Sequence, residues 1–305
     1  MIAVTNSTQA FYRRSTLDMS GLRATAENLQ NQLATGERLT RSSDDPVAAS
    51  RLRMLARADR LGAIDAGNAK RASEDLQLAA SALESIGADI IRARELALWA
   101  ASDTVGASER NAIGAELDQL RQRLMATANA MDTSGNALFG GEASGRAYAE
   151  GAGGVVSYIG SPSSGVIDLG QGQSISRGLT GPEVLNFTTG GVPTDLFAHV
   201  AALSLALQGG AGDPATAARD ALAGFDDALD SLTRAQTVVG SRVAWIDVIQ
   251  DRQVDQALSR ANQTADTGGV EFAATVAELQ QILTVLEASQ AGFSRLAGLS
   301  LFDNI

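Results

Sequence analysis

The stretch ASEDLQLAASALESIGADIIRARELALWA, residues 72–100, decides the fold. Its residues Ala72, Leu76, Ala79, Leu83, Ile86, Ile90, Ala93, Ala97 and Ala100 step 4, 3, 4, 3, 4, 3, 4, 3 along the chain. A seven-residue repeat sustained over this length marks a helix packed against other helices in coiled-coil fashion. Upstream, Asp45 is a natural N-cap and Pro46 a natural first helical residue. The helix is therefore predicted to run from Pro46 to Ser102, roughly 85 Å at 1.5 Å per residue. Thr104–Ser108, with Gly106, breaks it. Ile113, Leu117, Leu120 and Leu124 then mark a second helix, predicted to be antiparallel to the first.

Working outward, Leu22, Ala26, Leu29 and Leu33 form a shorter seam that Gly36 stops, with a polar loop predicted between Gly36 and Pro46. On the other side, Asp213-Pro214 repeats the device of Asp45-Pro46. Ala218, Leu222, Phe225, Leu229 and Leu232 follow at helical spacing, and Val239, Val243 and Ile246 carry that seam on. Gly268-Gly269 interrupts it. A last helix shows Phe272, Val276, Leu279, Leu283, Leu286, Gln290, Phe293 and Ala297, and the chain finishes Leu299-Ser300-Leu301-Phe302-Asp303-Asn304-Ile305. The middle differs. Between Gly140 and Gly191 glycine, serine and threonine are frequent, and 155–159 and 165–169 read as strands between turns. Thr194-Asp195 caps a short helix that ends near Gly209-Gly210.

The predicted fold is mainly α: a long antiparallel helical bundle or coiled coil formed by the N- and C-terminal halves, with a small β-rich central insert. Three parts are expected. Residues 1–45 with 266–305 form terminal coiled-coil arms, 46–139 with 194–265 the long-helix bundle, and 140–193 the outer insert. The arm seams are Leu22, Leu29 and Leu33 on one side and Phe272, Val276, Leu279, Leu283, Leu286, Phe293, Leu299, Leu301 and Ile305 on the other. The bundle seam is Leu76, Leu83, Ile86, Ile90, Leu117, Leu120, Leu124, Leu222, Phe225, Leu229 and Leu232. Two thin arms bury one stripe each, so they are expected to be loose alone and to order against neighbouring copies.

Composition agrees with long thin helices. Hydrophobic residues make up 45% of the 305 residues, yet aromatics only 4%, so alanine and leucine carry the apolar share. The net charge of −11 argues against nucleic acid or an anionic membrane as a partner. Residues 1–70 hold ten basic and seven acidic side chains, net +3, whereas 214–305 hold six and twelve, net −6. That asymmetry favours pairing of the two ends, although single surface pairs contribute little. No run is long and apolar enough to span a membrane, and the N-terminus lacks the basic and apolar regions of a secretory signal.

Catalytic chemistry has little to work with. There are no cysteines, which excludes disulfides, thiolate metal sites and cysteine nucleophiles. The one histidine, His199, has no second imidazole or thiolate to share a metal and is expected to pack structurally. Asp44-Asp45 is best explained by capping before Pro46. Gly170-Gln171-Gly172 lacks the third glycine of a dinucleotide loop. Trp99 and Trp245 are expected to be packing residues, and Gln253 and Gln290 to set helix register. No enzyme activity, cofactor or metal is expected.

Several motifs resemble the flagellin family. Gln32-Leu33-Ala34-Thr35-Gly36-Glu37-Arg38 followed by Ser43-Asp44-Asp45-Pro46 looks like its N-terminal signature. Arg92-Ala93-Arg94-Glu95-Leu96-Ala97 and Asn136-Ala137-Leu138-Phe139-Gly140-Gly141 resemble two further stations, and the C-terminal seam resembles the family's other half. The family-motif positions are thus Asp44, Asp45, Pro46, Arg92, Arg94, Glu95, Asn136, Phe139 and Gly140. The resemblance covers about 1–141 and 214–305. It implies a structural protein of the bacterial flagellum, exported without a secretory signal and assembled helically with copies of itself. Asp195-Leu196-Phe197, Val239-Gly240-Ser241-Arg242 and the final residues lean toward an adaptor at the hook–filament junction; the alternative is flagellin, the bulk filament subunit. The implied partners are copies of the chain, a neighbouring junction protein on the hook side, flagellin or a second junction layer on the filament side, and an export chaperone.

Overall fold

The computed structural model describes residues 2–210 and 212–302, with side chains described for 9–210 and 212–295. Seven helices are present among the described residues: α1 (Ile2–Thr35), α2 (Pro46–Ala100), α3 (Ala107–Ala128), α4 (Gly181–Leu185), α5 (Leu196–Leu207), α6 (Pro214–Gly268) and α7 (Phe272–Phe302). The mainly α class with a small β-rich insert is as the sequence indicates. The chain divides into two compact units, residues 1–60 with 256–305 and residues 61–255.

In the unit 61–255, the core is built on the heptad face of α2. Leu76, Leu83 and Ile86 are completely buried. Their cover comes from α3 (Ile113, Leu117, Leu120, Leu124), α5 (Leu196, Val200, Leu203, Leu207) and α6 (Phe225, Leu232, Val239, Ile246), all in one continuous cluster. Leu222 and Leu229 pack at its margin. Polar contacts fix helix direction. Arg92 reaches Glu116 and Arg123 reaches Asp89, so α2 and α3 run antiparallel as predicted. Arg94 meets Asp226 and Asp103 meets Arg219, so α2 and α6 are antiparallel as well. Gly106 opens α3 after a turn, where the sequence places a break.

The strands form three separate antiparallel hairpins. β1 (Tyr148–Glu150) pairs with β2 (Val156–Tyr158), β3 (Val166–Gly170) with β4 (Gln173–Ser176), and β5 (Asn186–Thr189) with β6 (Val192–Asp195). The β5–β6 turn uses Gly190 and Gly191 at φ 55° and 82°, the left-handed pair that a two-residue hairpin loop requires. Asp195 then accepts a hydrogen bond from the Ala198 amide at 2.9 Å and caps α5.

In the unit of residues 1–60 with 256–305, α1 and α7 pair with each other within one chain. Tyr12 and Phe293 meet edge to face with ring centroids 5.3 Å apart. At the other end, the Arg38 amide donates to Gly268 O and the Val270 amide to Gly36 O, at 2.8 and 3.0 Å. The two helices are therefore antiparallel. Gly36, at φ 74°, ends α1 where the sequence reading stops it. The seam is thin: Ala26 and Leu29 are buried, whereas Leu22 and Leu33 are only half-buried.

Candidate assembly surfaces

The three family-motif stations are local scaffolds. Asp45 accepts from the Ala48 amide at 2.9 Å and caps α2, and the bond to that amide holds its carboxyl below the usual carboxylate range. Asp44 closes the preceding loop by accepting from the Arg41 amide at 2.8 Å. Arg38 bridges Asp45 and the Thr267 carbonyl, tying the start of α2 to the end of α6. Asp44, Asp45 and Pro46 therefore position backbone.

The second station is a charged surface. Arg92 holds Glu116 through two nitrogens at 2.9 and 2.7 Å and Glu95 at 3.2 Å. The bond to Glu116, then that to Glu95, raises the Arg92 pKa. Arg94 points the other way, to Asp226 at 2.6 Å. Arg92 and Arg94 thus brace α2 on α3 and on α6.

At the third station Phe139 is buried and Asn136 lies in a loop organised by Asp132, whose Oδ1 accepts from the Ser134 and Asn136 amides at 2.8 Å each. Gly140 leaves little room: a Cβ there would fall 3.2 Å from Ala137.

Sequence reasoning missed the polar contacts that seat the hairpins. Asn129, at the C-terminus of α3, accepts from the Ala147 and Tyr148 amides and donates to the Tyr148 carbonyl. Arg242 donates to Gly178 O at 2.6 Å and Gln253 to Leu169 O at 3.0 Å. Arg177 lies 3.6 Å from Asp75 and 2.7 Å from Asp132. Burial, with the charge of Asp132, raises the Asp75 pKa. Gln253 therefore seats a strand instead of setting helix register. The one readable signal was position: Asn129 directly follows the last apolar residue of α3.

His199 behaves as expected. It packs between Phe187 and Phe225, with Nε2 2.9 Å from Ala221 O. Gly224 makes room for the ring, since a Cβ there would collide with it. Among the described residues no group of acidic, histidine or cysteine side chains could hold a metal ion. No helix among the described residues is long and apolar enough to cross a membrane.

Two expectations change. Trp99 and Trp245 are not packing residues: they are 53% and 42% exposed, because helical rotation carries both away from the buried seam. In α7 the sheltered face is Thr275, Leu279, Ile282, Leu286 and Phe293. Phe272, Val276 and Leu283, read as seam residues, stand exposed beside it. The helix carries two adjacent apolar stripes, and a single partner helix covers only one. Exposed apolar side chains also mark α1, at Phe11 and Leu17. Leu299, Leu301 and Ile305 lie outside the residues whose side chains are described.

Apolar side chains stand open on helices of both units, and comparison with known proteins gives what the chain is similar to. Residues 7–144 match the family model described as the bacterial flagellin N-terminal helical region, and the resemblance carried by the sequence motifs is thereby borne out. More particularly, the chain is similar along nearly its full length to flagellar hook-associated protein 3 of Escherichia coli K12: 26% identical over 314 residues, covering 97% of this chain and 98% of that one. The Salmonella typhimurium protein of the same name has the same identity and coverage. Among solved structures, the flagellar junction protein FlgL from Legionella pneumophila shares the fold, with TM-score 0.59, 14% identity, and coverage of 72% of this chain and 99% of that chain.

Proposed function

We propose that this chain is a structural adaptor of the bacterial flagellum, which assembles with copies of itself at the distal end of the hook and joins the hook to the filament. The observation that carries this reading is the end-to-end likeness to hook-associated protein 3, 97% of this chain against 98% of the relative. A bulk filament subunit is the competing role, but the full-length relatives bear the hook-associated name.

The geometry supplies the means. The arm helices α1 and α7 leave Leu17, Phe272, Val276, Leu283 and Val285 open to solvent in the single chain. Apolar side chains at such spacing are stabilised when a neighbouring copy covers them. The terminal arms accordingly serve as the assembly surface, the helical bundle as the rigid body, and the hairpins as outer material. On this reading the chain acts outside the cell, is exported through the flagellar apparatus with the help of a chaperone, contacts a second junction protein on the hook side and flagellin on the other, and performs no catalysis.

A strain lacking the chain tests this. Its hooks should persist without filaments, flagellin should accumulate in the medium, and supplying the gene should restore filaments. Normal filaments in the deletion strain would overturn the proposal. Long filaments grown by the purified chain alone from filament seeds would reassign it as a filament subunit.

A further inference from the structure

Asp75, Asp132 and Arg177, in the unit 61–255, make a charged triad for which joining hook to filament has no use. Asp75 on α2 is buried, and so is the Asp132 carboxylate in the loop after α3. Both lie on one guanidinium: Arg177 Nε is 3.6 Å from Asp75, and Nη2 is 2.7 Å from Asp132. Asp132 is well served, since its other oxygen accepts from the Ser134 and Asn136 amides. The contact to Asp75 is longer than a hydrogen bond. Beside them a cavity of about 20 Å³, lined by both aspartates, Asn136 and Arg177, has room for one water molecule. Arg177 also closes the base of the β3–β4 hairpin, where its amide donates to Gly165 O at 3.1 Å. The far end of that hairpin is moored by neutral amides, Asn68 to Asp168 O at 2.9 Å and Gln253 to Leu169 O at 3.0 Å.

We infer that the two aspartates and Arg177 are a proton-operated clasp: with one proton on the carboxylate pair the base of the β3–β4 hairpin is held against α2, and loss of that proton lets the base open. The proton sits on Asp75, which has the weaker contact to Arg177, while Asp132 keeps its charge. One buried anion then faces one cation. Ionisation of Asp75 adds a second buried anion, and its repulsion by Asp132 and its lost hydration disfavour the closed base. Opening lets both carboxylates reach water. The other charges around Asp75 are engaged or of the same sign. On α2, Arg71 is hydrogen-bonded to Asn68, and Glu74 lies 3.9 Å from Lys70. On the α6 side, Arg242 donates to Gly178 O, next to Arg177. Glu142 and Asp168 line the wider cleft that Asp75 also lines, and add negative charge. Since Asp75 titrates above its ordinary 3.8, the clasp is closed in acid and opens as pH climbs through the raised value. The clasp works in the free chain, so its failure leaves the adaptor reading untouched.

Hydrogen exchange of the purified full-length chain over a pH series reads the clasp. Exchange of residues 166–176 is divided by that of residues 186–195 in the same sample, which cancels the intrinsic acceleration by base. The reference hairpin is moored by the Ser231 hydroxyl, a group that does not titrate there. The ratio is expected to rise about fivefold as pH passes from 3.8 through the raised Asp75 value, and then to level off. Asp75→Asn keeps the shape of the protonated carboxyl and is expected to hold the ratio low throughout. The carbon-13 resonance of the Asp75 carboxyl is expected to titrate with the same midpoint as the ratio. A flat ratio in the unaltered chain overturns the inference, as does a rise that persists in Asp75→Asn. A high ratio at every pH in that variant also overturns it, because ionised Asp75 would then be the holding group. An Asp75 carboxyl that titrates at the ordinary 3.8 overturns it whatever the variant does.

Discussion

The seams of the two units are written in the same heptad alphabet and end very differently. Leu76, Leu83 and Ile86 on α2 are fully buried, whereas Leu22 and Leu33 on α1 are half-buried and Phe272 on α7 is 57% exposed. The difference is the number of helices. In 61–255 the seam is enclosed by α3, α5 and α6, which cover its whole width. In the arms two helices face only each other, and each keeps an apolar flank in water. A heptad therefore reports that a helix has apolar partners, and the count of available helices decides whether those partners are in the same chain.

The comparison breaks most sharply at its buried end. Leu83→Asp places an uncompensated charge in a closed core and is expected to cost about 4 kcal/mol or more, enough to unfold 61–255. Loss of the cooperative thermal transition by circular dichroism would show it, and a folded variant with an unchanged midpoint would refute the account of the core. Hydrogen exchange draws the contrast inside one molecule. Residues 76–93 are expected to exchange only through global opening, and residues 20–35 through local opening at least about a hundredfold faster, as sparse burial dictates. Strong protection of 20–35 in the free chain would erase the distinction between the units.

Leu286→Asp is a milder change in a half-buried seam, expected to cost about 1–2 kcal/mol there. The transition of 61–255 should persist while assembly on hooks is lost, so restored motility in the deletion strain would contradict the arm assignment. The smallest effect is expected at Asp75. Its pKa is raised in the folded chain, chiefly by burial. A carboxyl of this kind favours the fold when protonated, and that contribution is lost as pH rises from the ordinary value of 3.8 through the raised one. Asp75→Asn should flatten this part of the stability profile in urea titrations, and an unaltered slope would show that Asp75 does not cause it.

Much of the fold was legible because it depends on local spacing. The run from Ala72 to Ala100, the Asp–Pro caps and the stops at Gly36, Gly106 and Gly268 each act within a few residues, and each reading matches the structure. What was not legible depends on rotation or on distant partners. Trp99 lies two residues past the seam residue Ala97, and that offset turns its side chain outward. Phe272, Val276 and Leu283 fit a heptad as well as Thr275, Leu279 and Ile282 do, so spacing alone could not choose between the stripes. Asp75, Asp132 and Arg177 come together only in the tertiary fold, and nothing in any one stretch announces them.

The hairpins never merge into a common sheet. Each is fastened by its own side chain: Asn129 holds β1, Gln253 holds β3, and Ser231 donates to the Asn186 carbonyl at the start of β5. The moorings are separate, but Tyr148, Leu169, Ile175 and Phe187 plant all three hairpins in the common core, which leaves their tips as the free material. The loop between Thr189 and Val192, at the tip of one of them, is accordingly the natural place to graft a foreign epitope while leaving the helices and their assembly untouched.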